Sequence, residues 1–472
     1  MTEQSLLSRP APPETRRRPA LILAIVLTCQ LMLILDATVM NVALPPIQSE
    51  LGFSRTGLSW VMNAYSLVFG GFLLLGGRAG DLFGRRRMFV IGTSVFTVAS
   101  LAGGLATSAE LLIVARVLQG VGAAMAGPST LALIATTFTE PKARMRALAL
   151  FSAMSSGGFA IGLILGGLLT QWFTWRAVLF INVPFGAAIA LLAPRFVPEP
   201  ERKRAHLDLP GAVTGTAGVA SLVYGFIRAA QEGWGDAVTI VALAVGLTLI
   251  ATFLTIERRA SQPLMPLRLF ADRNRASAYA NFFFGPMAMM SMFFFLTQFL
   301  QDVSHFSALA TGFAFLPMAA VLFTVTRFVS RLLPKLGPKK MAAAGSAAMV
   351  VGLTWLTQLT PESHYATGML APMILMGFGA GFAFSPLNIL IMGTVPAEDA
   401  GAAGGVLQTL QQGGATLGLA ILVTVFGEST RGISGGPETI LVTGMTTAFI
   451  ASALIAACTF VVALTFRASD RP

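Results

Sequence analysis

The sequence predicts an all-α polytopic membrane protein with 14 transmembrane helices. Three observations carry that reading. Apolar residues make up 55% of 472 positions and charged residues only 11%; the mean hydropathy is +0.74; and runs long enough to cross a bilayer follow one another with short polar breaks. The runs fall at 20–44, 57–80, 88–107, 111–137, 145–170, 176–196, 209–230, 237–257, 276–301, 307–333, 339–359, 366–395, 400–426 and 440–466. They are unbroken rather than alternating, which suits helices with internally satisfied backbones and not barrel strands. A soluble protein with buried helices would need long polar surfaces between the runs, and none is present.

Charge placement tests that count, because Lys and Arg collect in alternate, cytoplasmic loops. Of the 32 basic residues, 25 lie in the tail 1–19 and in every second loop, whereas only Arg55, Arg176, Arg228 and Arg431 lie on the other face. An even number of spans then places both termini in the cytoplasm, with the protein in the cell membrane. The net charge of +11 orients spans and does not form a nucleic-acid face, since the basic residues sit in short loops. Cys29 and Cys458 lie inside the first and last runs, so neither a disulfide framework nor a metal site is expected. No cofactor is expected either. The run from Leu21 is too long for a signal peptide and lacks a small-residue cleavage site, so it reads as a retained span.

The chain looks duplicated. GGRAGDLFGRRRM (Gly76 to Met88) is echoed 253 residues on by SRLLPKLGPKKM (Ser330 to Met341), with Gly337 matching Gly84 and Pro334 standing where Asp81 stood. SSGGFAIGL (Ser155 to Leu163) is echoed at an offset of 256 by QQGGATLGL (Gln411 to Leu419). These registers divide the spans into six at 20–196, two inserted at 209–257, and six at 276–466. The loop from Arg258 to Arg275, containing PLMPLRLF, is expected to hold an amphipathic helix lying on the membrane surface.

The stretch GxxxDxxGRR, Gly77 to Arg86, resembles the cytoplasmic signature loop of the major facilitator superfamily, whose fold is two six-helix halves. The resemblance implies a conformational latch of Gly77, Asp81, Gly84, Arg85 and Arg86. Asp81 can pair with Arg85 or Arg86, or meet the positive end of a helix from the other half. Leu82 stands where the family usually has a basic residue. LDATVMNVALP (Leu35 to Pro45) resembles the first-helix signature of the fourteen-span drug/proton antiporter subfamily, and WRAVLFINVPFG (Trp175 to Gly186) its sixth-helix signature.

Asp36 lies mid-span, where an unpaired carboxylate costs about 2.5 to 3.5 kcal/mol. Burial and a nearby Arg push its proton affinity in opposite directions, which suits loading and release of a proton; a structural hydrogen bond locking the first helix is the other reading. LIVARVLQGVGAA (Leu112 to Ala124) resembles the superfamily's RxxQG signature. Its Arg116 supplies a fixed positive field, or snorkels to the interface. Gly158, Gly162, Gly166 and Gly167 line one face for close helix packing; in the family this resembles the antiporter signature, although Leu163 replaces the usual proline. The Met- and Phe-rich ninth and tenth runs fit an adaptable apolar cavity or lipid contact. Asn41, Gln119, Asn281, Gln298, Asn388, Gln408 and Gln411 are its candidate polar lining, because polar side chains in a span prefer the bundle interior.

The repeat, the charge pattern and the buried Asp and Arg point to a transporter, and the family resemblance implies proton-coupled efflux of lipophilic small molecules, neutral or monocationic, by alternating access within membrane lipid and without an enzymatic step. Proton-coupled uptake or export of one dedicated metabolite is the same-fold alternative. A membrane sensor or lipid-modifying enzyme is the different-class alternative, for which no nucleotide loop or nucleophile constellation is present.

Overall fold

The computed structural model describes residues 19–138, 140–199, 208–260, 263–395, 400–433 and 436–466. The tail before Pro19, the linker around Arg202 to Arg204 and the loop holding Glu398 and Asp399 lie outside the described residues. All described regular structure is helical. Among the described residues, twelve helices are long and apolar enough to cross a membrane, and a shorter apolar one covers Gly157–Trp172.

The first part of the chain forms α1 (Pro19–Leu51), α2 (Ser59–Phe83), α3 (Arg85–Gly104), α4 (Ala109–Thr137), α5 (Pro141–Trp172), the single turn α6 (Ala177–Phe180) and α7 (Asn182–Phe196). A hairpin of α8 (Leu209–Glu232) and α9 (Ala237–Arg259) follows. The remainder forms α10 (Arg273–Gln298), a π-helical turn (Phe299–Val303), α11 (Ala308–Ala314), α12 (Leu316–Leu356), α13 (Leu370–Thr394), α14 (Ala400–Thr430) and α15 (Pro437–Leu464).

Local chemistry explains the breaks. Gly84 separates α2 from α3 at φ 107°, and Gly337, its counterpart in the repeat, interrupts α12 at φ 73°. Both are conformations that a Cβ disfavours. The two legs of α12 pack on α13 in opposite senses. Along the first leg Met318 meets Gly377 and Val325 meets Gly381; along the second Gly345 meets Ala383 and Gly352 meets Pro372. The chain therefore reverses at Gly337 as it does at Gly84.

Two segments differ from expectation. Helix α1 runs through Pro45 and Pro46 to Leu51, past the expected end at 44. Burial of Leu44, Pro45 and Ile47 holds it there, and the Glu50 carboxylate accepts from Trp175 Nε1 at 2.7 Å and from Arg176. Tertiary packing outweighs the proline preference. Among its described residues, the segment after α9 holds only a 3₁₀ turn, Leu267–Phe270, in place of a surface helix. Pro263 and Pro266 break any longer helix, and Leu264 and Leu269 turn into the core.

The repeat extends to packing. On α5, Gly162 meets Thr38 and Gly166 meets Val39 of α1; on α14, Gly414 meets Phe283 and Gly418 meets Met287 of α10. Small residues let each pair of backbones approach closely. The apolar cores are distributed unequally. At the end away from Gly84, one cluster joins both parts of the molecule, running from Val39, Leu44 and Val61 to Phe293, Phe299, Phe315 and Phe449. At the end carrying Gly84 the parts keep separate clusters, one around Ile22, Phe89 and Ile134, the other around Leu269, Leu387 and Phe466.

Polar contacts reinforce the shared end. Gln301 Nε2 donates to the Val42 carbonyl at 2.9 Å, Leu309 N donates to Gln171 Oε1 at 3.2 Å, and Arg55 pairs with Asp302 at 3.5 Å. The two parts thus share one core at the far end; toward the Gly84 end their apolar clusters are separate, while α2 meets α14 through Gly70 against Gln412 and Leu74 against Gly405.

Candidate functional site

Asp36 lies near the middle of α1, where the shared and separate cores meet. It is 1% exposed, and Arg116 on α4 is 0% exposed. Such burial is tolerable only if the charges are paired and their remaining polar atoms satisfied. Arg116 Nη1 donates to Asp36 Oδ2 at 2.6 Å. Arg116 Nε donates to the Val61 carbonyl of α2 at 2.9 Å, and Nη1 also reaches Gln119 Oε1 at 2.9 Å, one turn along α4.

The second carboxylate oxygen is held as fully. Asp36 Oδ1 accepts from Gln119 Nε2 at 2.9 Å and from Asn182 Nδ2 at 2.9 Å. Ser100 Oγ accepts from Gln119 Nε2 at 2.8 Å and from Asn182 Nδ2 at 3.4 Å. The guanidinium lies over the Tyr65 ring at 4.5 Å, a cation–π contact. Glycine makes the room: a Cβ at Gly120 would stand 2.8 Å from the Tyr65 carbonyl. Arg116 therefore does not snorkel. Its Nη2 is buried without a hydrogen-bond partner, so two of the five guanidinium N–H groups lack an acceptor.

The candidate cavity residues divide. Gln119 belongs to the network above. Asn41 Nδ2 donates to the Ala37 carbonyl at 3.2 Å, Asn281 Nδ2 to Ser277 at 3.0 Å and Gln298 Nε2 to Phe294 at 3.2 Å, each one turn back on its own helix. Asn41 Oδ1 and Asn281 Oδ1 remain buried and unpartnered. On α13 Asn388 is exposed, and on α14 Gln408 and Gln411 are half-buried. The structure does not bring these last three into contact with Asp36.

Comparison with known proteins now bears on this geometry. The profile of the Major Facilitator Superfamily matches residues 26–419. The chain belongs to this superfamily. It is 41% identical over 408 residues to the puromycin resistance protein pur8 of Streptomyces alboniger, covering 85% of this chain and 81% of that one. It is 40% identical over 416 residues to the cephamycin export protein CmcT of Amycolatopsis lactamdurans, covering 87% and 86%. A solved bacterial homologue of the human lysosomal transporter Spinster, in an inward-facing, unoccupied conformation, shares the fold with a TM-score of 0.68 at 17% identity, over 97% of this chain and 100% of that one. The chain is therefore a multi-pass membrane protein of a transporter family.

The superfamily's signature loop has defined geometry here. Arg85 Nη2 donates to Asp81 Oδ1 at 2.6 Å, one turn on. Arg86 lies 3.6 Å from Glu199, whose carboxylate also accepts from the backbone N–H groups of Arg86 at 3.0 Å and Arg87 at 3.3 Å. Glu199 thus caps the N-terminus of α3, where unpaired donors and the helix dipole favour an anion. A Cβ at Gly84 would stand 2.7 Å from that carboxylate, so this glycine serves both the turn and the cap. Gly77 lies 3.7 Å from Pro128 of α4 by the same measure. On α5, Gly158 faces Leu31 and Ile34 of α1, whereas Gly167 meets Ala308 and Leu309 of α11, across the boundary between the halves.

Sequence reasoning missed Asn182, Ser100, Tyr65 and Glu199. Among them Asn182 carried a usable signal: an amide inside an apolar run needs a partner, and the run already resembled a signature. Among the described residues, no group of three or more His, Cys, Asp or Glu is placed to hold a metal ion.

Proposed function

We propose that this protein is a proton-coupled exporter of lipophilic small molecules, including antibiotics, in the fourteen-span branch of the superfamily. The observation that carries the reading is Asp36, a carboxylate buried in mid-membrane and matched to one arginine at the level where the two halves begin to part. A permanent structural ion pair there offers little stability over apolar packing. A pair that opens as access alternates can instead take up a proton from one side and release it to the other. The relatives named for puromycin resistance and cephamycin export support antibiotic-like substrates.

On this reading the two legs of α12 are separate spans, α6 with α7 is one span, and the total is fourteen. Six spans at 20–196 and six at 276–466 rock about the Asp36 level, with 209–257 inserted between them. The Gly84 end faces the cytoplasm together with both termini, and the latch of Gly77, Asp81, Gly84, Arg85 and Arg86 works there. Asn388, Gln408 and Gln411 line the cavity that opens on that side. No cofactor is needed beyond the proton gradient. The test uses purified protein in liposomes with an imposed pH gradient and a panel of puromycin and lipophilic dyes. Substrate should accumulate uphill with equal and opposite proton movement; accumulation that ignores the gradient overturns the proposal.

A further inference from the structure

We infer that Asn182 is a positioning residue for the Asp36 proton site, holding the carboxylate in its charged form and tying its protonation state to the packing of α7 on α1 and α3. The inference rests on the proposed role of Asp36 and goes beyond it, because Asn182 belongs to a different helix and carries no charge.

The geometry is specific. Asn182 opens α7, and Ile181 before it keeps helical angles, φ −59° and ψ −29°, so α6 runs on into α7. Its side chain is 1% exposed. Nδ2 stands 2.9 Å from Asp36 Oδ1 and 3.4 Å from Ser100 Oγ, so one amide joins α7 to both α1 and α3. Gln119 makes the same pair of contacts from α4, at 2.9 Å to Asp36 Oδ1 and 2.8 Å to Ser100 Oγ. Two amides therefore share one carboxylate oxygen and one hydroxyl, while Arg116 takes the other carboxylate oxygen.

The roles differ. Gln119 is also bonded to Arg116, so it can keep a partner when Asp36 is neutral. A hydrogen bond to a carboxylate strengthens with its charge and weakens when the oxygen becomes part of a neutral acid. Protonation of Asp36 would loosen Asn182, leaving Ser100 as its remaining acceptor. The other titratable groups facing Asp36 are Arg116 on α4 and Tyr65 on α2, beneath the guanidinium. Helices α5, α6, α7, α10 and α11 bring only uncharged side chains at that level.

Removing a donor from the charged form raises the pKa, so the proton should be held to higher pH. The experiment is a pH titration of the protonated-carboxyl stretch by infrared difference spectroscopy on reconstituted protein, with the Asp36 band assigned by its loss in Asp36→Asn. Asn182→Ala should move the midpoint up by about one pH unit, a tenfold change in proton affinity. Asn182→Ser, which keeps a hydroxyl donor, should move it less. If Asn182→Ala does not fold, the shift in Asn182→Ser decides alone. An unmoved midpoint in the folded variants overturns the role of Asn182 and leaves the proton role of Asp36 standing. A titrating band that survives in Asp36→Asn would instead show that the underlying reading of Asp36 fails.

Discussion

Asp36 and Arg116 stabilise the fold only as a pair. Removing one partner of a buried ion pair strands the other charge at a cost of about 3–5 kcal/mol, and the stranded group avoids that cost by changing protonation. In Arg116→Ala, loss of the positive field raises the Asp36 pKa, so the pH profile of transport should shift upward as well as fall in amplitude. Transport measured from pH 6 to pH 9 checks this; lost activity with an unshifted profile would assign Arg116 to packing alone. The pair itself was legible in the sequence, because a charge within an apolar run must have a partner. Its uncharged holders were not. Ser100 is 19 residues upstream of Gln119 and 82 from Asn182, and only folding brings the three together. The same rule selected Asn41, Asn281 and Gln298, whose amide nitrogens each bond one turn back on their own helix.

At the scale of elements, the glycine turns and glycine faces were readable because only glycine suits them. The match of Gly84 with Gly337 and the packing of α5 on α1 and α14 on α10 follow from residues visible in the repeat. The extension of α1 through two prolines was not readable, since it is set by tertiary contacts that no local pattern records. The loop between α2 and α3 carries a prediction of its own. Asp81 holds Arg85, and Glu199 holds Arg86 together with the first N–H groups of α3. All of this lies at the membrane rim, away from Asp36. Asp81→Asn should slow turnover several-fold while changing substrate affinity little, as measured by initial rates against substrate concentration. A pure affinity loss at normal turnover would count against a latch.

At the scale of the whole molecule, one apolar core joins the two parts at the far end and separate apolar clusters lie toward the Gly84 end, with Asp36 between these regions. One buried anion can neutralise one proton or one monovalent cation, and a second positive charge on a ligand would stay unpaired in a low-dielectric cavity. Neutral and monocationic lipophiles should be favoured over dications. With one proton entering per substrate leaving, export of a monocation moves no net charge, whereas export of a neutral molecule does. Membrane potential should then assist only the neutral substrate, by about 2.3 kcal/mol per charge per 100 mV. Flux in liposomes with the pH gradient clamped and the potential set by potassium and valinomycin reads this directly. Strong potential dependence for a monocation at one-to-one exchange would show that further acids join the cycle.

The most direct measurement for proton-coupled export is uphill transport by Asp36→Asn, set beside the same protein's downhill exchange. Liposomes loaded with labelled substrate report exchange against unlabelled substrate without a gradient, and an imposed pH gradient then reports accumulation. The account predicts that Asp36→Asn still exchanges substrate but accumulates none, because the halves still rock and the proton has no carrier. Gradient-driven accumulation by Asp36→Asn at the wild-type level would contradict it.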